Sequence, residues 1–195
     1  MRIISGKYKA KVINSPKTTK TRPTLDRVKE ALFSIIDKYI ENSNVLDLFS
    51  GTGNLGLESI SRGAKFAWLN DRENVCISTI ISNVELTNSK NYVKITKKDY
   101  TKCLKQILRE NMNFDVIFLD PPYDSNYGIN TLEFISDTKA ILSKDGIIIY
   151  ETDKNFISKL KKKNIDIFNE TKNLECVDTR NYGNVVLCMY KWREK

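Results

Sequence analysis

The chain has 195 residues, which suits one domain with a small appendage and is more than a short peptide-sized scaffold needs. Hydrophobic residues make up 41%, enough for a packed core, which excludes wholesale disorder; 32 Lys and Arg against 24 Asp and Glu leave a formal charge of +8, which favours a polyanionic partner such as nucleic acid. There is no histidine and no C-x-x-C pair among Cys76, Cys103, Cys176 and Cys188, which excludes His-based triads, a histidine base and a zinc site, and leaves four reduced, mostly buried thiols.

Residues 1–13 alternate apolar Ile3, Ile4, Tyr8, Val12 and Ile13 with basic Arg2, Lys7, Lys9 and Lys11, interrupted by Gly6. This pattern predicts a short β-hairpin with a cationic face. Residues 14–23 read as a charged loop, and Pro23 or Thr24 opens a helix whose Val28, Ala31, Leu32, Ile35 and Ile36 recur at helical spacing. The N-terminus is too polar for a signal peptide and no apolar run spans a bilayer, so a soluble cytoplasmic protein is expected.

From residue 44 strands and helices alternate. Strands are predicted at 44–49, 66–69, 92–96, 114–119 and 146–150, with helices at 55–62, 75–86, 102–110, 132–142 and 156–162. The chain closes on strands at 165–168 and 185–190, separated by a charged stretch. Such alternation predicts an α/β fold with a mostly parallel sheet covered on both faces. The last two strands have no helix between them, so they form a hairpin and one strand runs antiparallel. The expected organisation is a basic N-terminal extension over 1–40 and a main domain over 41–195.

Ligands in such sheets bind at the carboxyl ends of strands where strand order reverses. The first such end carries Asp47 and then Gly51, Thr52, Gly53 and Gly56. Glycines let a ligand approach the backbone, and Asp71 stands 20 residues past Gly51, where an acid can accept ribose hydroxyls. Gly56 either serves that approach or permits helix–strand packing. A carboxylate at Asp47 repels a pyrophosphate but suits a ligand with an ammonium group, which favours S-adenosylmethionine over a nicotinamide dinucleotide. Asp99 either accepts from the adenine amino group or caps the helix that follows. With Arg72 and Tyr100, the candidate cofactor set is Asp47, Gly51, Thr52, Gly53, Asp71, Arg72, Asp99 and Tyr100.

The strand at 114–119 ends on Asp120-Pro121-Pro122-Tyr123. Two prolines cannot continue a central strand, so the chain leaves the sheet rigidly beside the crevice. An exocyclic base amine is a poor nucleophile because its lone pair is delocalised. Acceptors for its two hydrogens favour a pyramidal nitrogen whose lone pair points at a methyl donor. The Asp120 carboxylate and the Pro121 carbonyl supply such acceptors, and Tyr123 a stacking platform. This chemistry calls for no metal.

The combination of MRIISGKYK, RPTLDRVKEALF, DLFSGTGNLGLESISRGA, Asp71 and DPPY resembles the RsmD family, bacterial enzymes that methylate N2 of one guanine in 16S rRNA. The resemblance covers nearly the whole chain and keeps motif order. It implies a Rossmann-like class I methyltransferase with a seven-stranded, mostly parallel sheet, the last strand antiparallel, and a small N-terminal hairpin and helix. It also implies cofactor contacts at Asp47, Gly51, Gly53, Asp71 and Asp99, catalytic contacts at Asp120, Pro121 and Tyr123, and a place for Arg22, Pro23 and Thr24 beside the substrate. Leu25 and Asn70 depart from the family pattern, where a second threonine and an apolar residue are usual.

The leading expectation is therefore guanine-N2 methylation of 16S rRNA, free or in a small-subunit particle. Lys7 and Lys9, with neighbouring cations, would hold phosphates, and the target base would be flipped out or read in a loop. DNA adenine-N6 methylation shares DPPY and the cofactor loop, and an inert RNA-binding assembly factor shares charge and fold.

Overall fold

The computed structural model describes residues 1–15, 26–123, 125–162 and 171–194. Helix α1 (Asp26–Ile36) precedes an alternating series: β1 (Asn44–Asp47), α2 (Asn54–Ser61), β2 (Phe66–Asp71), α3 (Asn74–Leu86), β3 (Val93–Lys97), α4 (Tyr100–Arg109), β4 (Phe114–Leu119), α5 (Tyr127–Thr138), β5 (Leu142–Asp153) and α6 (Lys154–Lys162). Strands β6 (Leu174–Tyr182) and β7 (Val185–Trp192) close the chain as an antiparallel hairpin.

Seven strands form one sheet in the order β3-β2-β1-β4-β5-β7-β6, with β7 antiparallel to both neighbours. The order reverses between β1 and β4, which places a crevice at their carboxyl ends. This is the Rossmann-like arrangement of class I methyltransferases that the alternation and the resemblance predict. Strand period two divides the core cleanly. Val45, Leu69, Val116, Phe118, Ile147 and Ile149 face α1, α2, α3 and the N-terminal segment. Leu46, Trp68, Ile117, Leu119, Ile148 and Tyr150 face α4, α5 and α6.

The N-terminal hairpin is held by one antiparallel bridge, Arg2 to Val12, and it packs lengthwise on α2. Glu58 accepts from the backbone amides of Ile4 (2.8 Å) and Ser5 (3.0 Å). Lys29, fully buried on α1, lies 3.1 Å from Glu58 and donates to the Arg2 carbonyl (2.6 Å) and Asn54 Oδ1 (2.7 Å). Burial lowers the Lys29 pKa despite the neighbouring Glu58 carboxylate. Gly6 has φ +80°, and a Cβ there would run into the Ser61 carbonyl, so the hairpin tip lies directly on the end of α2.

Some expectations lie outside the described residues and others change. The predicted strand at Ile165–Phe168 falls outside the described residues, as do Arg22, Pro23, Thr24 and Leu25. The strand that pairs with β7 is instead Leu174–Tyr182, read from sequence as a charged stretch. As an edge strand it buries only Leu174 fully and leaves Val177, Arg180 and Asn181 exposed, so apolar and polar residues do not sort to two faces and the alternation is hidden. The fifth helix begins at Tyr127 and ends at Thr138, earlier than the predicted 132–142, and β5 starts at Leu142 because a bulge re-registers β4 against it between Phe114 and Val116. Cys76, Cys103, Cys176 and Cys188 are all free thiols, and only Cys176 is not buried.

Candidate active site

The carboxyl ends of β2, β1, β4 and β5 are consecutive in the sheet, and each carries an acid on the same face. Register establishes this. Asp47 pairs with Leu69 and with Phe118, so Asp71 and Asp120 stand two residues further along their strands on the same side. Leu119 pairs with Tyr150, so Asp120 lies opposite Glu151. Four carboxyls, Asp71, Asp47, Asp120 and Glu151, thus form a row along one rim. Neighbouring strands are about 4.8 Å apart, so these groups feel each other strongly once water is partly excluded.

Two of the four, Asp47 and Asp120, have raised pKa values, first of all because they are buried. Burial pushes Asp47 up to about 7, against the pull of the Gly56 amide, which donates to Asp47 Oδ2 at 3.1 Å. Loss of solvent in the crevice, then the nearby Glu151 and Asp47, hold Asp120 well above the usual carboxylate range. Such a row disfavours anions and gains from a cation, which lets all its members ionise. Among the described residues, no hydrogen bond reaches the Asp120 carboxylate or the Pro121 carbonyl, whereas the Pro122 carbonyl accepts from Ser125 N at 3.0 Å. Pro121 is buried and Pro122 exposed. The Tyr123 hydroxyl donates to Glu151 Oε1 at 2.7 Å, which ties the DPPY loop to the end of β5.

The glycine loop meets the acids from the side of α2. Gly51 (φ +55°) donates its N–H to Asp71 Oδ2 at 2.9 Å, and a Cβ on Gly51 would touch nothing, so open space faces it. Asp71 Oδ1 accepts from Glu73 N at 2.9 Å, so this carboxylate joins two loops at the rim. A Cβ on Gly56 would strike Leu69, and one on Gly53 (φ +79°) would meet Leu69, Leu57 and Ile80, so both serve packing and the turn, and ligand approach is left to Gly51. Thr52 is buried and its hydroxyl is directed at Met1 Sδ, 3.7 Å away. Asp99 is the N-cap of α4, with Oδ1 accepting from Thr101 N (3.0 Å) and Thr101 Oγ1 (2.7 Å). Tyr100 packs on Tyr127 with ring centroids 4.9 Å apart and on Phe49 at 5.6 Å, and the Arg72 guanidinium sits 5.9 Å from the Tyr127 ring.

The structure brings Asp47, Gly51, Gly53, Asp71 and the DPPY loop together at one edge. It does not bring Lys7 and Lys9 there. Their hairpin tip abuts Ser61 at the end of α2, Lys7 Nζ faces the Tyr92 ring just before β3, and Lys11 Nζ donates to the Leu86 carbonyl at the end of α3. All three landmarks belong to the amino edge of the sheet, a strand's length from DPPY. The candidate residues Arg22, Pro23 and Thr24 lie outside the described set.

One residue escaped sequence reasoning, and a second was noted there only as a departure from the family pattern. Glu151 follows the GIIIY strand as Asp120 follows FDVIFL, but only the pairing of those strands reveals that they are opposite. Asn70 is buried, and its side-chain amide donates to the carbonyls of Leu48 (3.1 Å) and Lys98 (3.0 Å) while Oδ1 accepts from Thr96 Oγ1 (2.8 Å). It ties the ends of three strands together from the opposite face and leaves Asp71 facing the crevice.

The family described as "Conserved hypothetical protein 95" matches residues 1–191. A chain named Ribosomal RNA small subunit methyltransferase D from Buchnera aphidicola subsp. Acyrthosiphon pisum is 34% identical over 89% of this chain and 90% of its own length. The chain belongs to the RsmD family. Its Haemophilus influenzae relative of the same name is 31% identical over 80% of each chain. In fold, the RsmD-family chain matches the Escherichia coli protein yhhF with a TM-score of 0.79, 24% identity and coverage of 100% and 99% of the two chains. No helix among its described residues is long and apolar enough to cross a membrane.

Proposed function

We propose that this RsmD-family chain transfers a methyl group from S-adenosylmethionine to the exocyclic N2 of a guanine in 16S rRNA, acting in the cytoplasm on the free rRNA or a small-subunit particle. Family membership and the small-subunit names of its relatives support the substrate class. The observation that carries the chemistry is the row of four carboxyls on adjacent strand ends, facing an open glycine loop. A crowded acidic row with raised Asp47 and Asp120 suits a ligand that carries an ammonium and a sulfonium, and fits no pyrophosphate. When bound, S-adenosylmethionine supplies an electrophilic methyl group on that sulfonium.

The chain's own residues do the rest. Asp71 is poised to accept ribose hydroxyls beside Gly51, and Asp47 to compensate the ammonium. The Asp120 carboxylate and the Pro121 carbonyl accept the two amine hydrogens and orient the nitrogen lone pair. As attack proceeds, positive charge grows on the nitrogen, where these preorganised acceptors stabilise it most. The surplus N–H proton leaves along its hydrogen bond to the Asp120 carboxylate. Tyr123, fixed through its hydroxyl to Glu151, presents its ring to the base at a set angle.

The test is methyl transfer from labelled S-adenosylmethionine to unmodified 16S rRNA and to unmodified small subunits. Label in either RNA, lowered at least a hundredfold by Asp120→Ala, is expected. Labelling of duplex DNA instead would move the assignment to adenine-N6 methylation, and full activity of Asp120→Ala would remove Asp120 from its role.

A further inference from the structure

We infer that the outer face of α4, with the end of β3, is a binding track for RNA backbone phosphates, separate from the N-terminal hairpin. This rests on the rRNA reading above and names a surface for it. Lys97, Lys98, Lys102, Lys105, Leu108 and Arg109 line a groove of about 820 Å³ together with Asp99. Lys102, Lys105 and Arg109 are exposed and recur at i, i+3 and i+7, so they form one stripe along the helix, while Cys103, Leu104 and Ile107 bury the other side in the core. Lys97 and Lys98 extend the stripe from the end of β3. The one acid in the groove, Asp99, holds Thr101 in the helix cap. The nearby Glu110 carboxylate is occupied by Lys94 (2.6 Å) and the Gln106 amide (2.7 Å), so it does not neutralise the stripe.

Position argues for RNA. Lys97, Lys98 and Lys102 stand at the carboxyl edge of the sheet, the edge that carries the DPPY loop. Three strand spacings, about 14 Å, separate β3 from β4. A nucleic acid whose target base enters the crevice therefore passes within reach of this end of α4. The stripe then runs down the helix for about 10 Å, as a backbone with regularly spaced charges requires. Lys7 and Lys9, in contrast, sit at the opposite edge and on the opposite face of the sheet. An acidic protein partner fits less well, because the groove offers Leu108 as its only large apolar group and no aromatic anchor among the described residues.

The experiment compares wild type with Lys102→Glu/Lys105→Glu/Arg109→Glu and, separately, with Lys7→Glu/Lys9→Glu. Binding of a 16S rRNA fragment is measured against salt, with S-adenosylmethionine binding as the check on folding and methyl transfer read as kcat and KM. All five substituted side chains are exposed. The α4 variant is expected to bind RNA at least tenfold more weakly, with a salt slope lower by about two, a raised KM, unchanged kcat and unchanged cofactor binding. The hairpin variant is expected to lose less than threefold. An α4 variant that binds RNA with wild-type affinity and slope overturns the inference while leaving the methylation reading intact. A wild type that binds RNA through α4 but transfers no methyl group sinks that reading and keeps the track. A wild type that does not bind RNA at all overturns both.

Discussion

Asp47 serves two opposed demands. It accepts from the Gly56 amide and so holds the start of α2 after the glycine loop, yet its burial beside Asp71 raises its pKa to about 7 from an ordinary 3.8. The folded protein therefore binds a proton there that the unfolded chain releases near pH 4. Stability from this residue is complete below about pH 4, falls as pH rises toward 7, and stays lost above it. The loss is on the order of a few kcal/mol. Asn at this position keeps the acceptor for Gly56 and removes the charge. Asp47→Asn is expected to raise the Tm of the ligand-free protein at pH 8 by several degrees, with little change at pH 4, while weakening S-adenosylmethionine at least tenfold. Thermal melts at the two pH values, with calorimetric titration of the cofactor, check this; a variant that melts lower at pH 8 contradicts it. Asp47 and Asp120 were legible in the sequence because each directly follows an apolar run, and Asp71 because it ends a strand 20 residues past Gly51. Glu151 was not, since its meaning depends on its lying across from Asp120. Asp99 was legible only as two alternatives, and its cap bonds to Thr101 are what the structure shows.

Among the elements, the N-terminal hairpin owes its place to one buried polar knot. Lys29 and Glu58 are both shielded from solvent, and between them they bind two hairpin amides and the Arg2 carbonyl. Glu58 also accepts from Arg62 Nε at 2.9 Å, so it is removal of the Glu58 charge that strands the buried Lys29, at about 3–5 kcal/mol. Glu58→Gln is expected to lower the Tm by roughly 10 °C and to speed hydrogen exchange at the Ile4 and Ser5 amides. Lys29→Met/Glu58→Leu is expected to recover part of the Tm but not the protection of those amides. Equal protection in wild type and Glu58→Gln would show that the knot does not hold the hairpin. The RVKEALF segment announces a helix through its apolar spacing, but nothing in a linear pattern marks Lys29 as buried. The edge strand Leu174–Tyr182 was missed for the converse reason: only Leu174 is fully buried, the apolar Val177 is exposed, and it is the ladder to β7 that marks the segment as a strand.

For the molecule as a whole, the distribution of charge matters more than its sum. A net +8 predicts a polyanion but not where it lies. The fold sorts the charges: a row of acids on the carboxyl rim, a cationic stripe on α4 entering that rim, and a second cationic cluster at the hairpin tip on the far edge. The alternation of strands and helices made the parallel part of the sheet readable from sequence, because period two and period 3.6 are local properties, whereas the partner of the last strand was not. The separation of Lys7 and Lys9 from the DPPY loop was not readable, because it depends on how the hairpin lies along α2. The central claim is that the acidic rim methylates the exocyclic amine of a guanine. Nucleoside analysis of 16S rRNA after incubation with the protein and S-adenosylmethionine tests it most directly. N2-methylguanosine, formed by wild type and absent with Asp120→Ala, is the predicted result; a methyl group found on adenine, on a ring nitrogen or on no base of the RNA would contradict it.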